Sequence, residues 1–188
     1  STPLKKVERT RENLPTLIDR ALNPGLQGGP HNHQTAAIAV ALKEASTPEF
    51  KEYAMQIVRN AKALAERLLS HGFNLVTGGT ETHLILIDLT NKNVSGKIAE
   101  DALSKAGITV NKNTVPHDPR KPFDPSGIRL GTPALTSRGF KEDEMGVIGD
   151  MFNNVIANPT DDAMLSAVKA QIKEMAAKHP LYPGLSYI

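Results

Sequence analysis

Cysteine is absent from the 188 residues, which excludes disulfides and thiolate metal sites. Tryptophan is absent as well, and aromatic residues make up only 4% of the chain. Aromatics this sparse supply no stacking platform for nucleic-acid bases. The charges add up to +2, from 22 basic and 20 acidic residues, and the two signs are interspersed, so no basic stripe marks a phosphate backbone. No apolar run is long enough to span a bilayer, and no basic amphipathic stretch marks a membrane-surface helix. The opening STPLKKVERTRENLPTLIDR is charged throughout and has no apolar signal-peptide core, so a cytoplasmic protein is expected.

Hydrophobic residues make up 39% of the chain, enough for a core. The length permits one large domain, or one small domain with an attachment. A helix over 11–22 is weakened by Pro15. NPGLQGGPHNH (23–33) is a turn-rich loop. Residues 34–45 are almost all Ala, Ile, Val and Leu, which predicts a buried helix. At the break that follows, Thr47 suits a cap, Pro48 suits the first helical position, and Ser46 to Glu49 has capping-box spacing. The next helix runs to about Leu69, with Phe50, Tyr53, Ile57, Ala61, Leu64 and Leu68 forming one stripe, and Gly72 stops it.

From Phe73 the period shortens. FNLVTGG and HLILIDL read as strands, and 95–106 as a helix capped by Ser95 with Ile98, Ala102 and Leu103 inward. ITVNKN and GIRLGTPAL read as two more strands. Between these two lies TVPHDPRKPFDPS, a loop stiffened by four prolines. Helices over 141–157 and 161–178 finish the chain. The alternation implies a small α+β or α/β layer.

Several residues invite a chemical reading. Gly28-Gly29 before a helix suits either an anion held by backbone N–H groups or a tight turn. His31 and His33 are two apart and would point in nearly opposite directions on a helix, so helix entry or buried hydrogen bonding suits them better than a metal, and H-N-H is weak evidence for a nuclease motif. Arg129, among small and apolar neighbours, requires an anion. That anion is either a ligand carboxylate gripped by its planar fork or a structural partner such as Asp88. Asn111 and Asn113 suit either recognition of a heterocyclic amide or ordinary turn chemistry. Lys112 at a strand end is read as solvated rather than as a Schiff-base lysine. Asp88 and His83 are five apart on one strand and face opposite sides.

Taken together and in order, PGLQGGPHNH, TPEFKEY, NAKALAE, GITVNKNTVP, SGIRLGTPALTSRGF and HPLYPGL resemble the later part of serine hydroxymethyltransferases, which are fold-type-I pyridoxal-phosphate enzymes. The resemblance covers about 22–185. It implies an α/β fold in three parts: the end of a pyridoxal-phosphate-transferase-type large domain (1–45), a bridging helix (46–72) and a small α+β C-terminal domain (73–188). The last would be a short antiparallel sheet covered by helices. It implies that Gly28 and Gly29 hold the cofactor phosphate of a neighbouring subunit, in a homodimer or a dimer of dimers. Arg129 would bind the carboxylate of serine or glycine. Asn113, Lys121, Pro122 and Phe123 would approach folate, with Lys121 standing where bacterial-type members often carry Ser.

The implied reaction moves a one-carbon unit between serine and tetrahydrofolate, with pyridoxal 5'-phosphate as cofactor and tetrahydrofolate as co-substrate. No catalytic residue is expected in this chain and no metal site. The family's Schiff-base lysine belongs to an upstream part, so the chain alone is expected to be inactive and to need its N-terminal remainder as partner. The competing expectations are a folate-independent pyridoxal-phosphate aldolase of the same fold and a non-catalytic assembly module.

Overall fold

Local signals start nearly every element. The structure is a computed structural model that describes residues 13–181. The first residues of the expected 11–22 helix and the end of HPLYPGL lie outside the described residues. The chain divides into two compact units, Ser1–Ser46 and Thr47–Ile188.

In the first unit, Asn13 caps α1 (Leu14–Arg20), its Oδ1 accepting the Thr16 N–H at 3.1 Å. Pro15 sits in the first turn, where its missing N–H costs nothing, so it starts this helix instead of weakening it. A π-type turn, Ala21–Leu26, follows and breaks at Asn23 and Pro24. Helix α2 spans Asn32–Ala45. It is not the buried helix expected over 34–45: Ile38 is 60% exposed and Leu42 67%. Its apolar residues run consecutively around the helix, and they are exposed.

The second unit begins with α3 (Pro48–Ser70), capped by Thr47, whose hydroxyl accepts the Phe50 N–H at 3.2 Å. The expected Ser46–Glu49 box does not form; the Ser46 hydroxyl donates instead to the Lys43 carbonyl. Gly72 ends the helix in the left-handed region at φ 73°. The expected stripe is buried at Ala61, Leu64 and Leu68, whereas Phe50 remains 43% exposed.

Strands β1 (Asn74–Leu75), β2 (Leu84–Asp88), β3 (Asn111–Asn113) and β4 (Gly127–Gly131) form one antiparallel sheet in the order β1-β2-β4-β3. Helix α4 (Gly96–Lys105) is capped by Ser95 and buries Ala99, Ala102 and Leu103. Ile98, expected inward, is 48% exposed, because the cap fixes the phase and the next residue takes the inner face. A side chain on Gly96 would lie 2.2 Å from the Gly127 carbonyl, so only glycine lets α4 start against β4.

The expected strand over GIRLGTPAL stops at Gly131. Pro133 opens a short helix, α5 (Pro133–Ser137), since proline fits a first helical turn and not a central ladder. Helices α6 (Glu142–Ala157) and α7 (Asp162–Lys178) complete the unit. The core lies between the sheet and the helices, with Ile87, Ile128, Leu103, Met145 and Val155 fully buried.

A buried polar relay crosses this core. Asn60 is fully buried; its amide donates to the Thr136 hydroxyl and the Phe140 carbonyl, both at 2.9 Å, and accepts from Gln56 Nε2 at 2.8 Å. The Thr132 hydroxyl donates to the Ile57 carbonyl at 2.8 Å. These bonds pin the turn after β4 to α3, so the strand end has a fixed position.

Candidate functional site

Strand β4 is paired on both sides, so its backbone is held firmly and its side chains alternate in direction. Ile128 opposes Ile87 and points into the core. Arg129 opposes Leu86 on one side and Asn111 on the other, and it is exposed on the outer face. Of the two anions weighed for Arg129, the structural one is absent: among the described residues Arg129 makes no hydrogen bond or ion pair. Asp88 is taken up by the Thr90 N–H at 2.9 Å and the Thr90 hydroxyl at 2.6 Å. The apolar neighbours that suggested burial for Arg129 are the inward half of the alternation.

Arg129, Asn111, His83 and Leu84 border a shallow cleft of about 350 Å³. A planar guanidinium on a rigid strand, facing water with its donors unpaired, is arranged for a carboxylate. Asn113 lies on the same face as Arg129, two positions along the adjoining strand, a diagonal of roughly 7–8 Å. Its amide nitrogen donates to the Thr114 carbonyl at 2.7 Å, and its amide oxygen has no partner among the described residues.

Lys121, Pro122 and Phe123 are exposed on the loop between β3 and β4. Phe123 is 68% exposed, and the Lys121 ammonium lies 5.9 Å from its ring centre. Sequence reading credited prolines with the stiffness of this loop and overlooked its anchor, Asp118. One carboxylate oxygen of Asp118 accepts the Ser126 N–H at 2.9 Å and the Val115 N–H at 3.2 Å. The other accepts the Ser126 hydroxyl at 2.7 Å and the Arg120 N–H at 2.9 Å. Burial opposes the charge, but these four donors outweigh it and hold the Asp118 carboxyl at about 2. The signal in the sequence was an aspartate followed by proline, the usual spelling of a side chain that turns its own backbone.

Lys112 is not solvated as expected. Its ammonium meets Glu100 at 2.7 Å, and its N–H donates to the same carboxylate at 3.0 Å, which lowers the Glu100 pKa. That pairing gives Lys112 a structural role.

In the first unit, Gly28 and Gly29 lie in the loop before α2 and are exposed. A side chain at either would meet nothing within 4 Å, and neither has positive φ. Neither space nor backbone conformation in this chain calls for glycine there. A bare backbone also lets another group approach its N–H groups closely. The following helix presents its N-terminus with no side-chain cap. His31 and His33 stack with ring centres 5.6 Å apart. Among the described residues no group of three His, Asp or Glu could hold a metal ion, and no helix is long and apolar enough to cross a membrane.

The serine hydroxymethyltransferase family model matches residues 2–152. A serine hydroxymethyltransferase of Desulfotalea psychrophila is 58% identical over 171 residues, covering 91% of this chain and 40% of the relative. Those of Acidothermus cellulolyticus and Myxococcus xanthus are 54% and 51% identical, covering 93% and 92% of this chain and 42% and 41% of the relatives. The chain thus spans about two fifths of the length of the curated relatives it matches.

Proposed function

The chain belongs to the serine hydroxymethyltransferase family, and from that premise we propose that it supplies the carboxylate- and folate-recognising part of an enzyme that transfers a one-carbon unit between serine and tetrahydrofolate, yielding glycine. The observation that carries the reading is Arg129, a guanidinium without a partner among the described residues on a doubly paired strand. In this reading 1–45 ends a large domain, 46–72 bridges, and 73–188 forms the small domain.

Arg129 grips the amino-acid carboxylate through two parallel N–H bonds and so fixes which side-chain bond lies in the reactive orientation. Asn113 meets the amide edge of the folate ring system. Lys121, Pro122 and Phe123, held by the Asp118 anchor, form the adjoining wall. Gly28 and Gly29 fit a phosphate: they leave backbone N–H groups open to close approach before a helix N-terminus. The phosphate is that of pyridoxal 5'-phosphate in a neighbouring subunit, which makes the protein a homodimer or a dimer of dimers. When bound, that cofactor supplies the electron sink for cleavage at the α-carbon.

The exposed apolar helix α2 supports this reading, because a helix that is apolar all round belongs inside a larger body. The complete protein works in the cytoplasm. A folate-independent aldolase and an assembly module are disfavoured by relatives at 51–58% identity that share one named activity. The test is the complete protein loaded with pyridoxal phosphate and given serine. Glycine formation that depends on added tetrahydrofolate is expected; glycine formed equally well without it would point to the aldolase.

A further inference from the structure

We propose that a second cavity, on the inner side of β4, binds a small apolar monocarboxylate. The cavity measures about 320 Å³ and lies within the second unit, among α3, α6, α7 and β4. Its lining includes Leu135, Ile148, Phe152, Ile172 and Met175. Its lining residues Gly107, Thr109, Gly131 and Ala134 are exposed, so the cavity is open to solvent on that side. It falls in the range of ligand pockets, ~300–1,000 Å³, and exceeds the ~150 Å³ of an engineered apolar cavity that takes up benzene.

Arg138 is the one charged residue among the described residues that line it. Its Nη1 donates to the His179 carbonyl at 3.0 Å and the Ala176 carbonyl at 3.5 Å, at the end of α7. Those bonds fix the guanidinium plane from one side. The edge formed by Nε and Nη2 has no partner among the described residues, and two parallel N–H donors on one edge match a carboxylate. An apolar body with one carboxylate therefore satisfies both parts of the site. A neutral apolar molecule would leave that edge unused, and a polar one would be excluded by the walls. Leu130 and Gly131 line both this cavity and the cleft of Arg129, so the two sites share a wall while using different arginines.

The test uses the complete protein with 4-ethylbenzoate and neutral ethylbenzene as probes, read by ligand-observed NMR. The unaltered protein should bind both. Arg138→Met should weaken 4-ethylbenzoate by about tenfold or more and leave ethylbenzene unchanged, since a charge-assisted pair is lost and the walls remain. Ile172→Trp should abolish both at an unchanged melting temperature. The proposal is overturned if neither probe binds, if Arg138→Met binds 4-ethylbenzoate as tightly as before, or if a stably folded Ile172→Trp still binds both. Should Ile172→Trp lower the melting temperature, xenon-pressurised crystals of the unaltered protein decide instead. Xenon density beside Phe152 supports the site, and its absence overturns it.

Discussion

Replacing Asp118 by Asn should loosen the loop between β3 and β4 without disturbing the core. The carboxylate accepts four hydrogen bonds, two on each oxygen. An amide keeps one oxygen and turns an N–H₂ group toward donors that already point inward. Turned one way, the amide strands the Ser126 and Val115 N–H groups; turned the other, the Ser126 hydroxyl can rotate to accept and the Arg120 N–H is stranded, while the remaining bonds lose their charge. Hydrogen bonds to charged groups contribute about 1.5–3 kcal/mol each, and Asp118 is half-buried, so we take about 2 kcal/mol for the lost bond and the weakened ones together. That is roughly thirtyfold in a local opening constant. Amide hydrogen exchange at Val115, Arg120 and Ser126 in the complete protein should quicken by about that factor, while exchange at Ile87 stays as it was.

Acid should produce the same loosening in the unaltered protein. The folded pKa, about 2, lies below the ordinary 3.8, so the carboxylate's contribution is complete above about pH 4 and is lost as pH falls toward 2. If exchange at these three amides is unchanged by Asp118→Asn, the carboxylate does not hold the loop, and the placement of Phe123 needs another cause.

Asn60→Ala should destabilise the second unit by about 2–4 kcal/mol, because it opens a hole and strands the Phe140 carbonyl; denaturant unfolding of the complete protein followed by a probe in α6 measures it. Gly29→Ala should leave the fold and its melting behaviour intact, since a Cβ there meets nothing in this chain, yet weaken uptake of pyridoxal phosphate by at least about tenfold if the backbone is approached by a phosphate. An alanine variant with undiminished uptake of the cofactor would remove Gly29 from the site.

Capping chemistry was the most legible part of the sequence. Thr47 and Ser95 before helices, and glycine after α3, act within a turn of the chain, so local spelling suffices. Burial was less legible because it depends on surfaces distant in sequence. Ile98 was expected inward and lies outward, and α2 was expected buried and is exposed. Arg129 shows both sides of this. Its strand was readable from its neighbours, but which face it takes followed only from the pairing of β4 with β2 and β3. Asp118 escaped notice because its importance lies in four bonds reaching both ends of a loop, a geometry no short motif spells out.

The most direct test of the central claim is a serine titration of the complete, cofactor-loaded protein, followed through the cofactor's absorbance, comparing Arg129 with Arg129→Ala and Arg129→Lys. Removing a charge-assisted bidentate contact costs about 1.5–3 kcal/mol, so serine affinity should fall by at least roughly tenfold in Arg129→Ala. Arg129→Lys should rescue little, since an ammonium cannot reproduce the planar fork. Retention of the cofactor should be unchanged in both variants, because the phosphate is held by other residues. Serine binding in Arg129→Ala as tight as in the unaltered protein would contradict the assignment of Arg129 to the substrate carboxylate.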